Sequence, residues 1–491
     1  MFLIYGSIAI YTGSFFRRES EKERLGLTVA RDKIWNLSKP FDGFVHDFYV
    51  LQNGLRLHYV TNNPNNSGPP KPLIILIHGY PDSYSVWQFV MQSTILRQES
   101  TIVAVDLPGF GGSDSFPPYS ATVILEALSE FIIGMREDYN VHYDTDSAKE
   151  LTDTGMSQSK VFIVGHDWGC VLSYRLASEA PSLADRFILT NGPLPQLFQA
   201  NRERTTAFAV NMFRAFFNAP IASRHCLTKG FRCLIPLVRQ VYKIGYFFSF
   251  QLPSGLVRYL LRGGNRSFLR GIHQYATGEN NSLLDQNTYL AGCLGPSSDD
   301  CKPQTAGDGK QKPKSYPASV VQRVMQDNCA YEATEYYRSG AWSDPWEKSL
   351  ETIAALYDIE QSQGGSLSSR RHSSGALLFS EPYKGALKAP ATIIWGQKDP
   401  VLMQQFCLDG IGDYLAKGSQ VVMLPRTGHW TPSEVEGRKA VTRVIEWAIL
   451  GEKDKELEEE IQKVYESSYV GLKEIEVRSV IHTFTAEEYE D

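Results

Sequence analysis

The residues KVFIVGHDWGCVLSYRLASEAP, 160–181, decide the fold. Val161–Val164 is a short apolar run rich in β-branched residues, the pattern of a buried parallel strand. Beyond Gly169 the apolar residues Val171, Leu172, Leu176 and Ala177 recur at helical spacing, and Pro181 follows the end. Between strand and helix lies Gly165-His166-Asp167-Trp168-Gly169. Glycines two before and two after a central residue fit a sharp strand-to-helix turn that thrusts the middle side chain outward. The common form of this turn carries Ser in the middle; here the residue is Asp167.

That exchange changes the chemistry. A serine must lose a proton before it attacks, whereas an aspartate is already ionised at neutral pH. A carboxylate attacking carbon makes an alkyl ester, which suits electrophiles with a leaving group on sp³ carbon, such as epoxides and alkyl halides. The ester then needs an activated water to release it. Taken alone, the turn equally reads as an ordinary βα connection with Asp at a helix N-terminus. The rest of the chain decides.

The 491 residues are enough for two or three domains. A net charge of −6 leaves no nucleic-acid footprint. Seven cysteines without a C-x-x-C pair argue against a disulfide framework or a zinc site and for reduced, intracellular thiols. A cytoplasmic protein is expected. Met1–Phe16 is apolar and aromatic, followed by Arg17-Arg18, and is shorter than a bilayer span needs. It reads either as a weak membrane anchor or as a piece packed on the body.

Taken in order, Glu19–Pro40 reads as a charged lead-in helix and His46–Thr61 as a hairpin around Asn53-Gly54. Leu73–Ile77 is a buried strand running into His78-Gly79-Tyr80-Pro81. Tyr84–Arg97 reads as a helix, Ile102–Asp106 as a strand before a Gly-rich loop, and Val123–Met135 as a helix. Asn140–Ser159 reads as a polar surface insertion. Phe187–Thr190 is another strand, after which the strand–helix alternation stops. Residues 196–383 hold aromatic helical stretches (Phe208–Phe217, Val238–Phe250, Leu256–Leu261) and two polar segments, Glu279–Tyr316 and Gln361–Ser374, expected to be mobile loops. The alternation resumes at Thr392–Trp395, before Gly396-Gln397-Lys398-Asp399-Pro400, and at Val421–Leu424, before Gly428-His429-Trp430. Lys439–Leu450 is a helix, and Glu452–Asp491 reads as a solvated helix and tail. The expected architecture is one mostly parallel, doubly wound sheet with a helical domain inserted after a strand. Its divisions are 1–40 (lead-in), 41–195 and 384–450 (core), 196–383 (helical cap with mobile insertions) and 451–491 (charged extension). Ligands in such sheets sit beyond the carboxyl ends of the strands, where Asp167, Asp399, His429 and the His78–Pro81 turn all fall.

With HGYP (78–81), GHDWG (165–169), GQKDP (396–400) and GHW (428–430) in this order, the chain resembles the α/β-hydrolases, and among them the epoxide hydrolases. The resemblance implies an α/β-hydrolase fold with an inserted cap. It implies Asp167 as nucleophile, His429 as the base that activates water, and Asp399 as the carboxylate orienting His429. The backbone N–H groups of Tyr80 and Trp168 match the oxyanion hole, and a cis Tyr80–Pro81 peptide is expected. Two cap tyrosines serve as acids in the family. Tyr246, four residues before Phe250-Gln251-Leu252-Pro253, and Tyr337, in Glu335-Tyr336-Tyr337-Arg338-Ser339, match them, with Tyr336 the neighbour that could be confused with Tyr337. Trp168, Tyr80 and Phe110 are the expected substrate contacts. His78 and His166 are expected to be structural, Asp106 a positioning residue and Cys170 a packing residue. Tyr80 stands where many epoxide hydrolases carry Phe, and Ser339 where Asn follows the tyrosine.

The expected activity is hydrolysis of a small apolar epoxide to a vicinal diol, with no cofactor or metal implied. Two readings stay beside it. A haloalkane dehalogenase uses the same Asp–His–acid set with a Trp after the nucleophile. A non-catalytic hydrolase-fold binding protein has no need of the complete set. Met1–Phe16 remains a candidate membrane contact, and the sequence leaves the oligomeric state open.

Overall fold

The computed structural model describes residues 16–141, 160–277, 283–303, 314–362, 383–451, 457–466 and 476–479. Most of the expectations for Met1–Phe16, Asn140–Ser159 and Gln361–Ser374 fall outside them.

Among the described residues, nine strands form one sheet: β1 (Val45–Val50), β2 (Arg56–Thr61), β3 (Leu73–Ile77), β4 (Thr101–Val105), β5 (Val161–His166), β6 (Arg186–Thr190), β7 (Ala391–Gly396), β8 (Gln420–Leu424) and β9 (Glu476–Ser479). Their order is β1-β2-β4-β3-β5-β6-β7-β8-β9. The strands from β4 to β8 run parallel, while β1, β2 and β9 pair antiparallel at the margins. Every residue of β3, β4, β5, β6 and β7 is buried, which is why they read as unbroken apolar runs rather than alternating ones. The register pairs Ile77 with Gly165, Gly165 with Leu189, and Gly396 with Leu424. The carboxyl ends of these strands therefore share one rim, and the four motif loops emerge along it.

The core helices are α1 (Glu21–Trp35), α2 (Thr94–Glu99), α3 (Ala121–Asp138) and α4 (Trp168–Glu179). Helix α1 begins with a capping box, in which the Ser20 and Glu23 side chains cap each other's backbone N–H. It buries Leu27, Ala30 and Ile34 at helical spacing together with Trp35. The single helix expected over Tyr84–Arg97 is instead a 3₁₀ turn, Tyr84–Trp87, and the short α2. Asp106 Oδ1 accepts from Tyr84 N at 2.8 Å, and Ser93 Oγ caps α2 by accepting from Leu96 N at 3.2 Å. These two side-chain acceptors divide the segment.

Between the neighbouring strands β6 and β7 the chain leaves for the cap. It forms α5 (Pro195–Asn218), α6 (Arg224–Lys243), α7 (Gly245–Phe250), α8 (Ser254–Thr277), α9 (Leu283–Leu294), α10 (Ala318–Met325), α11 (Cys329–Glu332), a 3₁₀ turn over Ala333–Tyr337, and α12 (Leu350–Ser362). Helix α8 is broken at Gly263–Arg266, where the dihedrals leave the helical region. Within the segment expected to be mobile, Leu283–Leu294 is a helix. It buries Asn287, Leu290, Ala291 and Leu294 and packs on α1, where Trp35 Nε1 donates to Ala291 O at 2.9 Å. Its apolar residues, lost among polar flanks in the sequence, have a partner 250 residues away.

The chain returns through α13 (Gln404–Leu408), α14 (Val435–Leu450) and α15 (Leu457–Glu466). The C-terminal segment is not solvated throughout as expected. Leu457 and Ile461 are buried against α14, and β9 adds to the sheet margin, from Met423↔Glu476 to Gln420↔Ser479. Among the described residues no helix is long and apolar enough to cross a membrane.

Candidate active site

Asp167 sits at the turn between β5 and α4 with φ +53° and ψ −113°, a left-handed-side backbone that a non-glycine residue rarely adopts. The turn is possible because its neighbours lack side chains. A Cβ on Gly165 would stand 2.7 Å from the Gly169 carbonyl oxygen, and one on Gly169 would meet the carbonyls of Ile77 and His78. Gly79 leaves the same space on the opposing loop, where a Cβ would meet Asp167 itself.

Three side chains from three strand ends converge. His429 Nε2 lies 3.4 Å from Asp167 Oδ2, and His429 Nδ1 lies 2.8 Å from Asp399 Oδ2. Asp399 Oδ1 accepts from the backbone N–H of Val401 at 2.7 Å and of Leu402 at 2.8 Å, while Oδ2 also accepts from Asn191 Nδ2 at 2.8 Å. Burial alone would push the Asp399 carboxyl up; the His429 charge and these donors hold it below the usual carboxylate range. Burial alone would push the His429 imidazole down; Asp399 and Asp167 outweigh it and raise it to about 10. The arrangement is a carboxylate–imidazole–carboxylate chain in which the flanking acids favour the charged form of the imidazole.

Tyr80 and Pro81 are joined by a cis peptide, as expected. Tyr80 N donates to Asp167 Oδ1 at 2.8 Å. Trp168 N is the first amide of α4, at the helix end where backbone donors lack intrahelical acceptors. An oxygen bound to the carboxyl carbon of Asp167 would therefore lie within reach of preorganised N–H groups.

Above Asp167, Tyr246 from α7 and Tyr337 from the 3₁₀ turn lie with ring centroids 5.9 Å apart. Tyr337 also packs edge-on against Tyr80 (5.2 Å) and Trp168 (5.1 Å). Burial and the neighbouring charges push both phenols upward, so both are protonated at neutral pH. Tyr336 turns the other way. Its hydroxyl donates to Pro108 O at 3.0 Å and its ring packs on Phe110 and Trp168. Of the two adjacent tyrosines, Tyr337 packs on the Tyr80–Tyr246 side and Tyr336 on the Pro108 side.

A cavity of about 350 Å³ opens beside this cluster; Tyr80, Asp167, Tyr246, Phe268, His429 and Trp430 are among its walls, and Tyr337 is not. Of the expected substrate contacts, Tyr80 lines it. Trp168 and Phe110 are not among its walls. Phe110 is buried between His78 (5.0 Å) and Tyr336 (5.1 Å), held there by the Gly-rich loop after β4, and so does not reach it.

The supporting residues fall where expected. His78 Nδ1 contacts Gly79 O at 2.8 Å and its Nε2 accepts from Leu107 N at 3.0 Å, so both nitrogens are engaged by backbone. His166 Nε2 contacts His429 O at 2.9 Å, and burial together with the neighbouring His429 pushes its pKa down to about 4. Asp106 binds the amides of Tyr84 and Gly112 and the ring of His58. Cys170 is buried, its thiol turned onto the carbonyls of Gly165 and Thr190.

Two contributors escaped the sequence. Asn191, at φ +46° after β6, joins Asp399 to Gly396 N and Thr431. Asn191-Gly192-Pro193 at a strand end was its only signal. Asp82 accepts from Trp430 Nε1 at 2.7 Å and contacts His273 Nε2 of α8 at 2.8 Å, joining the cap to the residue after His429. With Cys293 these form a buried group of three donor atoms within 4.8 Å of one another. Nothing local in the sequence brings residues 82, 273 and 293 together.

The parallel sheet, the strand–turn–helix at Asp167 and the cap between β6 and β7 make up the α/β-hydrolase fold, and the alpha/beta hydrolase fold family model matches residues 72–276. The sequence is similar to the epoxide hydrolases. It is 22% identical over 387 residues to Epoxide hydrolase 3 of Mus musculus, covering 78% of this chain and 71% of that protein. It is 28% identical over 168 residues to Epoxide hydrolase 4 of Mus musculus, covering 34% of this chain and 39% of that protein. Against the epoxide hydrolase of Bacillus megaterium in complex with an inhibitor, the TM-score is 0.43 at 20% identity, over 82% of this chain and 99% of that one. Haloalkane dehalogenases match at comparable coverage.

Proposed function

We propose that the chain hydrolyses an epoxide to a vicinal diol through an alkyl ester on Asp167. An Asp167 carboxylate oxygen attacks an epoxide carbon, the carbon–oxygen bond breaks, and the leaving alkoxide takes a proton from Tyr246 or Tyr337. The ester removes the Asp167 charge. His429 then loses one of the two carboxylates that raise its pKa, passes its proton to the tyrosinate and, now neutral, is able to accept a proton. It takes that proton from a water attacking the ester carbonyl. The oxyanion is held by the amides of Tyr80 and Trp168, and collapse releases the diol. The proton taken from water restores the resting His429, so the sum is epoxide plus water to diol.

The observation that carries this reading is the placement of Tyr246 and Tyr337 beside a carboxylate at the elbow, where an alkyl halide would need no acid. The walls of the cavity favour an apolar substrate. Its relatives' names agree with the assignment.

The test is a single turnover of an aryl-substituted epoxide in oxygen-18 water. A first diol without label, with oxygen-18 in Asp167, supports the ester. Label in that first diol means direct attack by water and removes Asp167 as nucleophile. Halide released from alkyl halides, with no diol from any epoxide, would replace the proposal with dehalogenation.

A further inference from the structure

The hairpin of α5 and α6 projects from the cap with little buried inside it. From Val210 to Arg239 only Cys226 and Gly230 are buried, Gly230 because a Cβ there would stand 2.8 Å from the Phe213 ring. Outward it presents apolar side chains: Ile221 is 93% exposed, Phe217 72% and Val238 66%. On α6 the exposed Phe231, Ile235, Val238 and Tyr242 follow one another at four, three and four residues, a single stripe along the helix. One position further round, Arg232 and Arg239 run beside it, with Lys229 on the same flank. A continuous exposed apolar surface of this kind marks an interaction site.

Its charge says what kind. Between Glu203 and Glu279 the chain carries eleven Arg and Lys and not one Asp or Glu, in a protein whose net charge is −6. Arg214, Arg224, Lys229, Arg232 and Arg239 are exposed, and among the described residues no carboxylate pairs with them. A helix with an apolar stripe, basic flanks and no acids has the composition of one that lies in a lipid interface. A second copy of the same arm would bring like charges together, which disfavours self-association. We propose that the α5–α6 hairpin docks on a membrane surface rich in anionic lipid, with the α6 stripe inserted at headgroup depth and the arginines and lysines on the phosphates. The stripe ends at Tyr242, which also walls the cavity above Asp167. Docking would therefore set the mouth of the cavity at the lipid, a consequence that rests on the proposed activity, although the docking does not.

The test is co-sedimentation of the full chain with vesicles of phosphatidylcholine, alone or with about a third phosphatidylserine. The parent is expected to partition at least tenfold more strongly onto the anionic vesicles, and to leave them as salt rises. The exposed double variants Arg232→Glu/Arg239→Glu and Phe231→Ser/Val238→Ser, shown by melting temperature to be folded, are each expected to lose about tenfold or more of that partitioning. Equal partitioning of parent and variants would place the contact elsewhere, Met1–Phe16 included, and overturn the proposal. So would a parent that binds neither vesicle. A parent dimeric in solution whose variants are monomeric would assign the surface to a second copy instead. None of these readouts requires turnover.

Discussion

His429 Nε2 stands 3.4 Å from Asp167 Oδ2, too long for a strong hydrogen bond and near enough for the two to stabilise each other's charge. With Asp399 on its far side, the His429 imidazole is raised from its ordinary 6.5 to about 10. A raised pKa contributes stability in full below the unfolded value and loses it as pH rises through the folded one. His429→Gln should therefore lower the melting temperature most below about pH 6.5. The gap between parent and variant should close as pH approaches 10. A gap independent of pH would mean that the charge is not what His429 contributes.

The same variant should separate the two chemical steps. His429→Gln retains Asp167 and both tyrosines, so an epoxide should alkylate it once and stop. Intact-mass measurement is expected to show one substrate mass added and no sustained diol. Asp399→Asn weakens the orientation of the imidazole and its charge partner. Its kcat should fall on the order of 10³–10⁴-fold, as for the buried aspartate of a serine protease triad.

Replacing Tyr246 or Tyr337 with Phe removes one of the two proposed acids. Each variant should slow ester formation on the order of 10²-fold in pre-steady-state kinetics, and the double variant considerably more. Tyr336→Phe is the control. It loses the hydrogen bond to Pro108 O, which should cost about 1 kcal/mol of stability and leave the rate of ester formation unchanged. A slow Tyr336→Phe enzyme beside an unaffected Tyr337→Phe would reverse the assignment.

The hydroxyl of Tyr80 is buried and has no hydrogen-bond partner among the described residues. Tyr80→Phe should therefore stabilise the folded protein by about 1 kcal/mol, read from urea unfolding. Loss of stability would mean that the hydroxyl is satisfied in solution, for instance by water.

Gly165→Ala would put a Cβ 2.7 Å from the Gly169 carbonyl oxygen, on a backbone that cannot move without displacing Asp167. Several kcal/mol of destabilisation is expected, and the variant should be found in the insoluble fraction on expression. Gly255→Ala, where a Cβ meets nothing within 4 Å, should be soluble and active.

The core was legible because its signals are local. Leu73–Ile77, Val161–Val164 and Thr392–Trp395 are unbroken apolar runs ending in motif loops, and a parallel sheet buried on both faces demands such runs. Asp167, Asp399 and His429 could be located because each follows a strand. The elements that were missed depend on distant partners. The apolar residues of Leu283–Leu294 sit between polar flanks and gain their partner only from α1, and Glu476–Ser479 becomes a strand only beside β8. Tyr84–Arg97 has helical spacing, yet Asp106, twenty residues on, cuts it in two. Asn191 and the Asp82–His273 pair were hidden for the same reason, since each acts through residues far away in sequence.

The contact between α1 and α9 has a mechanical consequence. The cap is clamped at that side, where Trp35 holds Ala291 and Tyr316 from the core, while the α5–α6 arm is tied near its base by Asn201 to Phe406 and Asp409, and by Gln240 to Val401 and Met403. Breathing of the cap should be lopsided, with amide exchange fast along the distal turns of the arm and slow through α9. The enzyme would then open like a door hinged along its N-terminal helix.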